Sequence, residues 1–207
     1  MSGSAVRLPN LVSPARLKEA AVATAPWSLE DLDGRLVEIS GLEAQAALTL
    51  AFGLVLEAQR QGEPVGWVTP RERSFYPPDA AGGGVDLDAL VVVRVPEVRA
   101  VARAADRLAR SGAFGLIVLD TGAAVIPIPL QARLAGLAEK HRTVLVCLSE
   151  KTGETRSLGS LVSVRVHARR AQTADGRFAC KLLVTKDKRR GPTWTHAEVC
   201  DGPAGVR

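Results

Sequence analysis

The stretch GRLVEISGLEAQAALTL, from Gly34 to Leu50, decides the fold. An apolar run from Leu36 to Ile39 leads to a glycine, Gly41, and a helical pattern follows from Ala44 to Gln61. Apolar residues recur along that helix at the spacing of a single buried face. A strand that ends in glycine and opens directly into a helix is the first half of a β-α-β unit, which favours a parallel sheet.

The same alternation of strand and helix continues along the chain. The further strands are predicted at Val65 to Thr69, Ala89 to Arg94, Gly115 to Asp120 and Thr143 to Glu150, and the further helices at Pro96 to Ser111 and Leu130 to His141. After Gly159 the pattern changes to the two-residue period of antiparallel strands, at Leu161 to Ala168, Phe178 to Thr185 and Thr193 to Val199. We therefore predict an α/β fold, a mainly parallel sheet flanked by helices and finished by antiparallel edge strands.

The domain organisation follows from the residues between these elements. Residues 1–26 are polar and interrupted by prolines, which indicates an N-terminal arm with one short helix at Pro14 to Val22. Residues 27–207 are predicted to form a single core domain. Residues 70–84 are interpreted as a loop, and Asp175 to Arg177 as a hairpin turn.

Composition excludes several classes of protein. The 207 residues are 46% hydrophobic and 24% charged, the balance of a globular protein. No apolar run is long enough to span a bilayer, and residues 1–10 do not have the pattern of a signal peptide, so we expect a cytoplasmic protein. Three cysteines and three histidines are widely scattered, which argues against a disulfide framework and a metal site; we expect neither metal nor cofactor.

Positive charge is concentrated near the end of the chain. Residues 165–207 contain 10 Lys and Arg against 4 Asp and Glu, whereas residues 1–164 contain 17 against 18. Such a block indicates an acidic partner, either nucleic acid or protein, although the excess of arginine over lysine, 21 to 6, also fits a compositional bias. The candidate DNA-binding residues are Arg165, Arg169, Arg170 and Arg177.

The loop after the first long strand occupies the place of a P-loop, whose pattern is G-x-x-x-x-G-K-[ST]. In the eight positions that begin at Gly41, the second glycine, the lysine and the hydroxyl residue are Ala46, Ala47 and Leu48. The lysine and the hydroxyl would bind phosphate and Mg²⁺, and the loss of both contacts costs about 3–6 kcal/mol. The sequence predicts that nucleotide binding is lost.

Four stretches in a fixed order resemble the RecA recombinase family. They are Gly34 to Gly41 with Leu48 to Leu50, Arg107 to Pro127, Leu161 to Arg170, and Val184 to Pro192. The resemblance extends from Trp27 to Gly205. Among RecA-like proteins, a short chain with this altered loop is most similar to the ImuA group of the bacterial mutagenesis cassette, and secondly to the SulA group of cell-division inhibitors.

The resemblance also indicates which catalytic parts are missing. Asp120 matches the Walker B aspartate, and without the hydroxyl at position 48 we expect it to be a structural acid at the end of its strand. The place of the family's catalytic glutamate falls on Arg71, with Glu72 one residue later, and the place of its nucleotide-sensing glutamine falls on Ser149 and Glu150. The stretches that match the two DNA-binding loops are short. The resemblance therefore implies a protein that is not an enzyme.

A basic cluster near the end of the core is the feature that the resemblance retains. In the family, two lysines reach the ATP of the neighbouring subunit, and Lys186 and Lys188 stand at these positions, followed by Arg189 and Arg190. The resemblance implies RecA as a partner bound through these residues, with the polymerase-like ImuB as a second partner, during SOS-induced translesion mutagenesis. Two alternatives stay open: an accessory protein that binds DNA weakly through its basic region, and a SulA-like division inhibitor.

Overall fold

The computed structural model describes residues 23–24, 27–41, 44–73, 75, 77–152, 155–172 and 178–200. Within them, nine strands form one sheet, flanked by helices. The strands are β1 Ala23–Thr24, β2 Leu36–Ser40, β3 Val65–Pro70, β4 Leu90–Val95, β5 Leu116–Gly122, β6 Val144–Ser149, β7 Val164–Gln172, β8 Phe178–Asp187 and β9 Trp194–Cys200. The helices are α1 Leu29–Leu32, α2 Ala44–Arg60, α3 Pro77–Gly82, α4 Val98–Ser111 and α5 Ile128–His141.

The strand order of the sheet is β1-β9-β8-β7-β2-β6-β5-β3-β4. All pairings from β7 to β4 are parallel, while β8 is antiparallel to β7 and β9 is antiparallel to β8. The expected fold class, a mainly parallel sheet with antiparallel edge strands, is confirmed.

Strand β2 lies in the middle of the sheet, between β6 and β7. Every residue of β2, β3, β5 and β6 is buried, because helices cover both faces of the parallel part. Helix α2 packs on one face through Leu50 and Leu54, against a core that includes Val37 and Val118. Helices α4 and α5 pack on the other face, where the core includes Leu36 and Ile117.

Three short elements were not predicted from the sequence. Helix α3 lies within the stretch interpreted as a loop, and β1, in the predicted arm, pairs with the start of β9. Helix α1 begins after Ser28, whose hydroxyl accepts a hydrogen bond from the amide of Asp31, as N-cap residues do. The predicted helix at Pro14 to Val22 and the turn at Asp175 to Arg177 lie outside the described residues. In the described part of the chain, no helix is both long and apolar enough to cross a membrane.

A buried ion pair fastens the β8–β9 connection to the start of β2. Arg35 Nη2 lies 2.5 Å from Asp187 Oδ1, and both side chains are almost fully buried. Trp194 donates its indole N–H to Asp187 Oδ2 at 3.2 Å, and the backbone amides of Arg189 and Arg190 donate to Oδ1. Burial raises the pKa of Asp187, but the hydrogen bonds from Arg35 and the two amides outweigh burial and hold this pKa below its usual value.

We expect Asp187→Ala to lower the free energy of unfolding by about 3–5 kcal/mol at neutral pH, because it leaves the Arg35 guanidinium buried without its counter-ion. The loss should shrink in acid. A carboxyl with a lowered folded pKa contributes stability above its unfolded pKa, and this contribution disappears as the pH falls through the folded pKa. Urea unfolding followed by circular dichroism measures both effects. Asp88→Ala, at an exposed position, is the control and should change stability by less than about 0.5 kcal/mol. A loss for Asp187→Ala no larger than the control's would contradict this account.

Candidate functional site

The candidate site lies where the parallel strands end. Strands β2, β3, β5 and β6 run in the same direction, so their carboxyl ends meet at one edge of the sheet. This edge is where open α/β sheets bind their ligands. Every sequence-predicted position of the nucleotide site falls at this edge or on the helix that follows β2.

The residues at the P-loop positions are packed into the protein. The amide of Gly41 donates to the carbonyl of Ser149 on β6 at 3.1 Å. Ala46 and Ala47, in the first turn of α2, are buried in the core, and Leu48 is half-buried against the same core. None of these side chains supplies a charge or a hydroxyl group, so the first turns of α2 contribute packing rather than contacts to phosphate or Mg²⁺.

Asp120, the Walker B-like acid at the end of β5, is held by two neighbours. The hydroxyl of Thr69 on β3 donates to Oδ2 at 3.0 Å, and Arg73 donates from Nη1 to Oδ1 at 3.1 Å. Asp120 is 8% exposed. Burial raises the pKa of its carboxyl above the usual value, and the charge of Arg73 opposes this rise. Asp120 is therefore an acid whose partners come from its own chain.

Arg73 also forms an ion pair with Glu150, which follows β6. One guanidinium thus joins the ends of β3, β5 and β6. Its position requires a glycine on β5, because a Cβ atom on Gly122 would lie 2.7 Å from Arg73 Nη2, and Gly122 has a left-handed φ of 51°. The sequence pointed to Arg71, which is exposed. The arginine that enters the site, Arg73, lies two residues later.

A second buried acid, Glu38, lies in the middle of β2 and was not singled out from the sequence. Its carboxylate is fully buried and accepts hydrogen bonds from the hydroxyls of Ser149 and Ser157, at 2.9 and 2.6 Å, and from the amide of Leu158 at 2.9 Å. Ser157 and Leu158 belong to the β6–β7 loop, residues 150–163. Glu38 therefore ties this loop down onto the sheet.

Three cations near the β6–β7 loop also face inward. Lys151 Nζ and Arg165 Nε lie 3.8 and 3.6 Å from the Glu38 carboxylate. Lys186 Nζ donates to the carbonyls of Gly159 and Ser160, at 3.4 and 3.0 Å. Burial lowers the pKa of Lys186, and the nearby charge of Lys188 adds to that effect. These groups close the loop over the sheet.

The predicted partner-binding cluster is divided among different surroundings. Lys186 is turned toward the loop, Arg189 donates to the carbonyl of Asp33, and Arg190 pairs with Asp31 and lies over the Trp194 ring at 5.6 Å. Lys188 is exposed to solvent. Of the four, Lys188 is the residue whose side chain makes no hydrogen bond or ion pair with the described residues.

The candidate DNA-binding arginines are not brought together. Arg165 is 6% exposed and donates to the carbonyl of Thr152, so it is buried beneath the loop instead of facing solvent. Arg170 is half-buried and engaged within the chain, whereas Arg169 is exposed. Arg177 lies outside the described residues. No group of His, Cys, Asp and Glu with the geometry of a metal site occurs among the residues that the structure describes.

Comparison with known proteins agrees with this architecture. A family model described as the RecA N-terminal domain matches residues 30–144, from α1 to the first residue of β6. The chain belongs to the RecA family.

RecA proteins of several bacteria are similar to this chain along much of its length. RecA of Fusobacterium nucleatum is 34% identical over 145 residues, covering 59% of this chain and 38% of that protein. RecA of Oceanobacillus iheyensis is 32% identical over 205 residues, covering 80% and 58%, and RecA of a Nocardioides strain is 34% identical over 173 residues, covering 68% and 49%. The chain therefore spans about half the length of the RecA proteins it matches.

We expect Arg73→Ala to lower the free energy of unfolding by about 1–3 kcal/mol at neutral pH, because it removes a charged hydrogen bond and leaves Asp120 buried without a cation. The pKa of Asp120 should rise further. An acid with a raised folded pKa favours the folded state below its unfolded pKa, and that benefit is lost as the pH rises through the folded pKa. The stability difference between wild type and variant should therefore be largest near neutrality and shrink toward acid.

Urea unfolding at about pH 7.5 and about pH 4.5 measures this difference. Arg71→Ala is the matched control, since Arg71 is exposed on the same loop. A difference of the same size at both pH values would show that Arg73 acts through packing alone and not through the Asp120 charge.

Proposed function

We propose that this RecA family member is a non-enzymatic accessory protein of the ImuA type, which binds the recombinase RecA and limits its filament during SOS-induced mutagenic DNA repair. ImuB is the second partner in this proposal. The observation that carries it is Arg73: a guanidinium of the chain itself occupies the position between Asp120 and Glu150, at the edge where a RecA-like ATPase would need Mg²⁺ and nucleotide.

The chemistry of the edge supports the absence of ATP hydrolysis. Asp120 could orient a hydrated metal ion only if its oxygens were available, and both already accept hydrogen bonds. Ala47 and Leu48 stand where the lysine and the hydroxyl of a P-loop would be, and both pack against the core. Since an Arg–carboxylate contact competes with a divalent cation for the same oxygens, nucleotide with Mg²⁺ would first have to displace Arg73.

A RecA-like fold without its own nucleotide has one face for a filament junction instead of two. Head-to-tail contacts propagate a filament only when both unlike faces are usable. Lys188 is exposed at the face that would complete a neighbour's ATP site, while the opposite edge is closed by Arg73. A subunit that docks by one face would end a filament or hold a RecA monomer out of it.

The alternative of DNA binding through the basic region receives less support. Phosphate contacts need exposed cations along one track. Arg165 is buried against Glu38 and Arg170 is engaged within the chain, which leaves Arg169 as the exposed one among the described candidates. The β6–β7 loop, in the place of a family DNA-binding loop, is fastened to the sheet.

We expect no saturable binding of ATP with Mg²⁺ in the micromolar range, because the positions of the phosphate and metal contacts are occupied by apolar side chains and by Arg73. Isothermal titration calorimetry with the full chain measures this, and RecA is the positive control. A micromolar dissociation constant would contradict the proposal that this chain has lost its nucleotide.

We expect Lys188→Glu to weaken binding to the RecA of the same organism by more than about tenfold, since loss of a charged contact at a desolvated interface costs about 2–5 kcal/mol. Lys140→Glu changes the charge equally at an exposed position on α5 and should leave binding unchanged. Lys186→Ala is a separate variant, because its ammonium holds the β6–β7 loop.

Size-exclusion co-elution and biolayer interferometry, with and without single-stranded DNA and ATP, provide the affinities. Unchanged binding of a folded Lys188→Glu variant would place the RecA contact elsewhere on the molecule. Absence of binding by the wild-type chain in every condition would refute the proposed function.

A further inference from the structure

Among the described residues, no helix packs on one face of the antiparallel part of the sheet. Helix α2 covers the other face, where Val166, Leu182 and Val184 are buried. The uncovered side is named here the β7–β9 face. Because opposed residues of neighbouring strands share a face, it consists of His167, Arg169 and Ala171 on β7, Ala179, Lys181 and Leu183 on β8, and Thr195, Ala197 and Val199 on β9.

The β7–β9 face exposes large apolar side chains. Leu183 is 43% exposed, although its neighbours on β8, Leu182 and Val184, are core residues, and Val199 on β9 is 57% exposed. The small side chains of Ala171, Ala179 and Ala197 lie between or beside them. Large apolar side chains exposed on one sheet face are typical of an interaction surface.

The charges of the β7–β9 face have a single sign. Arg169 lies directly opposite Lys181, and both are exposed. Like charges in directly opposed positions destabilise a sheet, so this pair has a cost in the isolated protein. Glu198, the acid on β9, is at a position of the other face, next to His196. Burial lowers the pKa of His167, and the charge of Arg169 lowers it further.

The nine residues favour a protein over a nucleic acid as the occupant. Single-stranded nucleic acids bind sheet faces by stacking bases on aromatic rings, and the one ring among the nine residues, the imidazole of His167, is buried. Leu183 and Val199 instead offer aliphatic contacts on both sides of the cations. Such an arrangement fits a partner that is acidic and apolar at once.

The chain's own terminal segments lack the complementary charge. Residues 1–22 contain three cations, Arg7, Arg16 and Lys18, against one acid, Glu19, and residues 201–207 contain one acid and one cation. Their approach to Arg169 and Lys181 would add no net negative charge. Neither segment therefore supplies an acidic occupant for this face.

We propose that the β7–β9 face binds an acidic amphipathic helix of a partner protein. Leu183 and Val199 lie four residue positions apart along the strands, about 14 Å, which corresponds to roughly nine residues of helix. A helix of that length or more, with apolar residues toward both ends and acidic residues between them, would cover the apolar area and neutralise the opposed cations. This surface is separate from Lys188 and does not require that the partner be RecA.

The test uses the full chain and a synthetic probe, a fluorescein-labelled helical peptide of about 18 Leu, Ala and Glu residues, with leucines toward both ends of one face and glutamates between them on that face. Two matched peptides carry Gln or Lys in place of each Glu. Fluorescence anisotropy should show binding of the Glu peptide, at least about tenfold weaker binding of the Gln peptide, and no binding of the Lys peptide. The variant Arg169→Glu with Lys181→Glu should reverse this preference and bind the Lys peptide.

The matched control is Arg103→Glu with Arg107→Glu, an equal change of charge at exposed positions of α4. It should retain the wild-type preference. Leu183→Ser with Val199→Ser should abolish binding of the Glu peptide although all charges are kept. Lys181→Gln alone, a milder change that keeps the strand intact, should weaken binding of the Glu peptide by several fold. Circular dichroism and thermal unfolding establish that each variant is folded.

Three results would overturn the proposal: no binding of the Glu peptide to the wild-type chain, equal loss of binding in the α4 control, or unchanged binding after charge reversal. A parallel titration with single-stranded oligo(dT) tests the alternative that the β7–β9 face binds nucleic acid. If charge reversal abolishes oligonucleotide binding while peptide binding is unaffected, the face belongs to nucleic acid. Because none of these measurements involves RecA, the outcome is independent of the proposed function.

Discussion

The buried carboxylate of Glu38 is the constraint on which the arrangement of the β6–β7 loop and of the nearby cations depends. A carboxylate in the middle strand of a parallel sheet is costly unless hydrogen bonds and cations surround it. Here Ser149 supplies one hydrogen bond from the neighbouring strand, and Ser157 and Leu158 supply two from the β6–β7 loop. The loop is therefore part of the folded core.

The same acid determines where nearby positive charges go. Arg165 is opposite Glu38 in the register of β2 and β7, and its guanidinium turns under the loop. Lys186 follows on β8, paired with Arg165, and donates to loop carbonyls. Because Arg165 is buried beneath the loop, the exposed cation that β7 contributes to the β7–β9 face is Arg169, four residues further along the strand. The basic end of the chain consequently offers less charge to a partner than its composition suggests, since Arg189 and Arg190 are also bound, to the segment around α1.

Much of the fold was predictable because periodicity reports burial directly. The runs of β2, β3, β5 and β6 and the faces of α2 and α4 follow from apolar spacing alone, and the change to period two marked the antiparallel edge. Helix α3 was not predicted because PPDAAG has the composition of a loop, and only its packing through Ala80 favours a helix.

The chemistry of the site was harder to predict from the sequence than the fold was. Arg73 reaches Asp120 because β3 and β5 are neighbours, a relation that exists only once the sheet has formed. Glu38 did leave a signal, a single charged residue inside the apolar run LVEIS, since such a residue is rarely fully buried without partners.

The position of β2 has a consequence for how the chain folds. Among the described strands it is the first long one to be synthesised, yet its partners are β6, with Glu38 opposite Cys147, and β7, with Glu38 opposite Arg165. Both contacts close loops of more than one hundred residues, and contacts of such sequence separation slow folding. During synthesis, β2 therefore cannot pair with β6 and β7 until most of the chain has left the ribosome. Meanwhile its apolar residues are available to chaperones, or to other nascent chains.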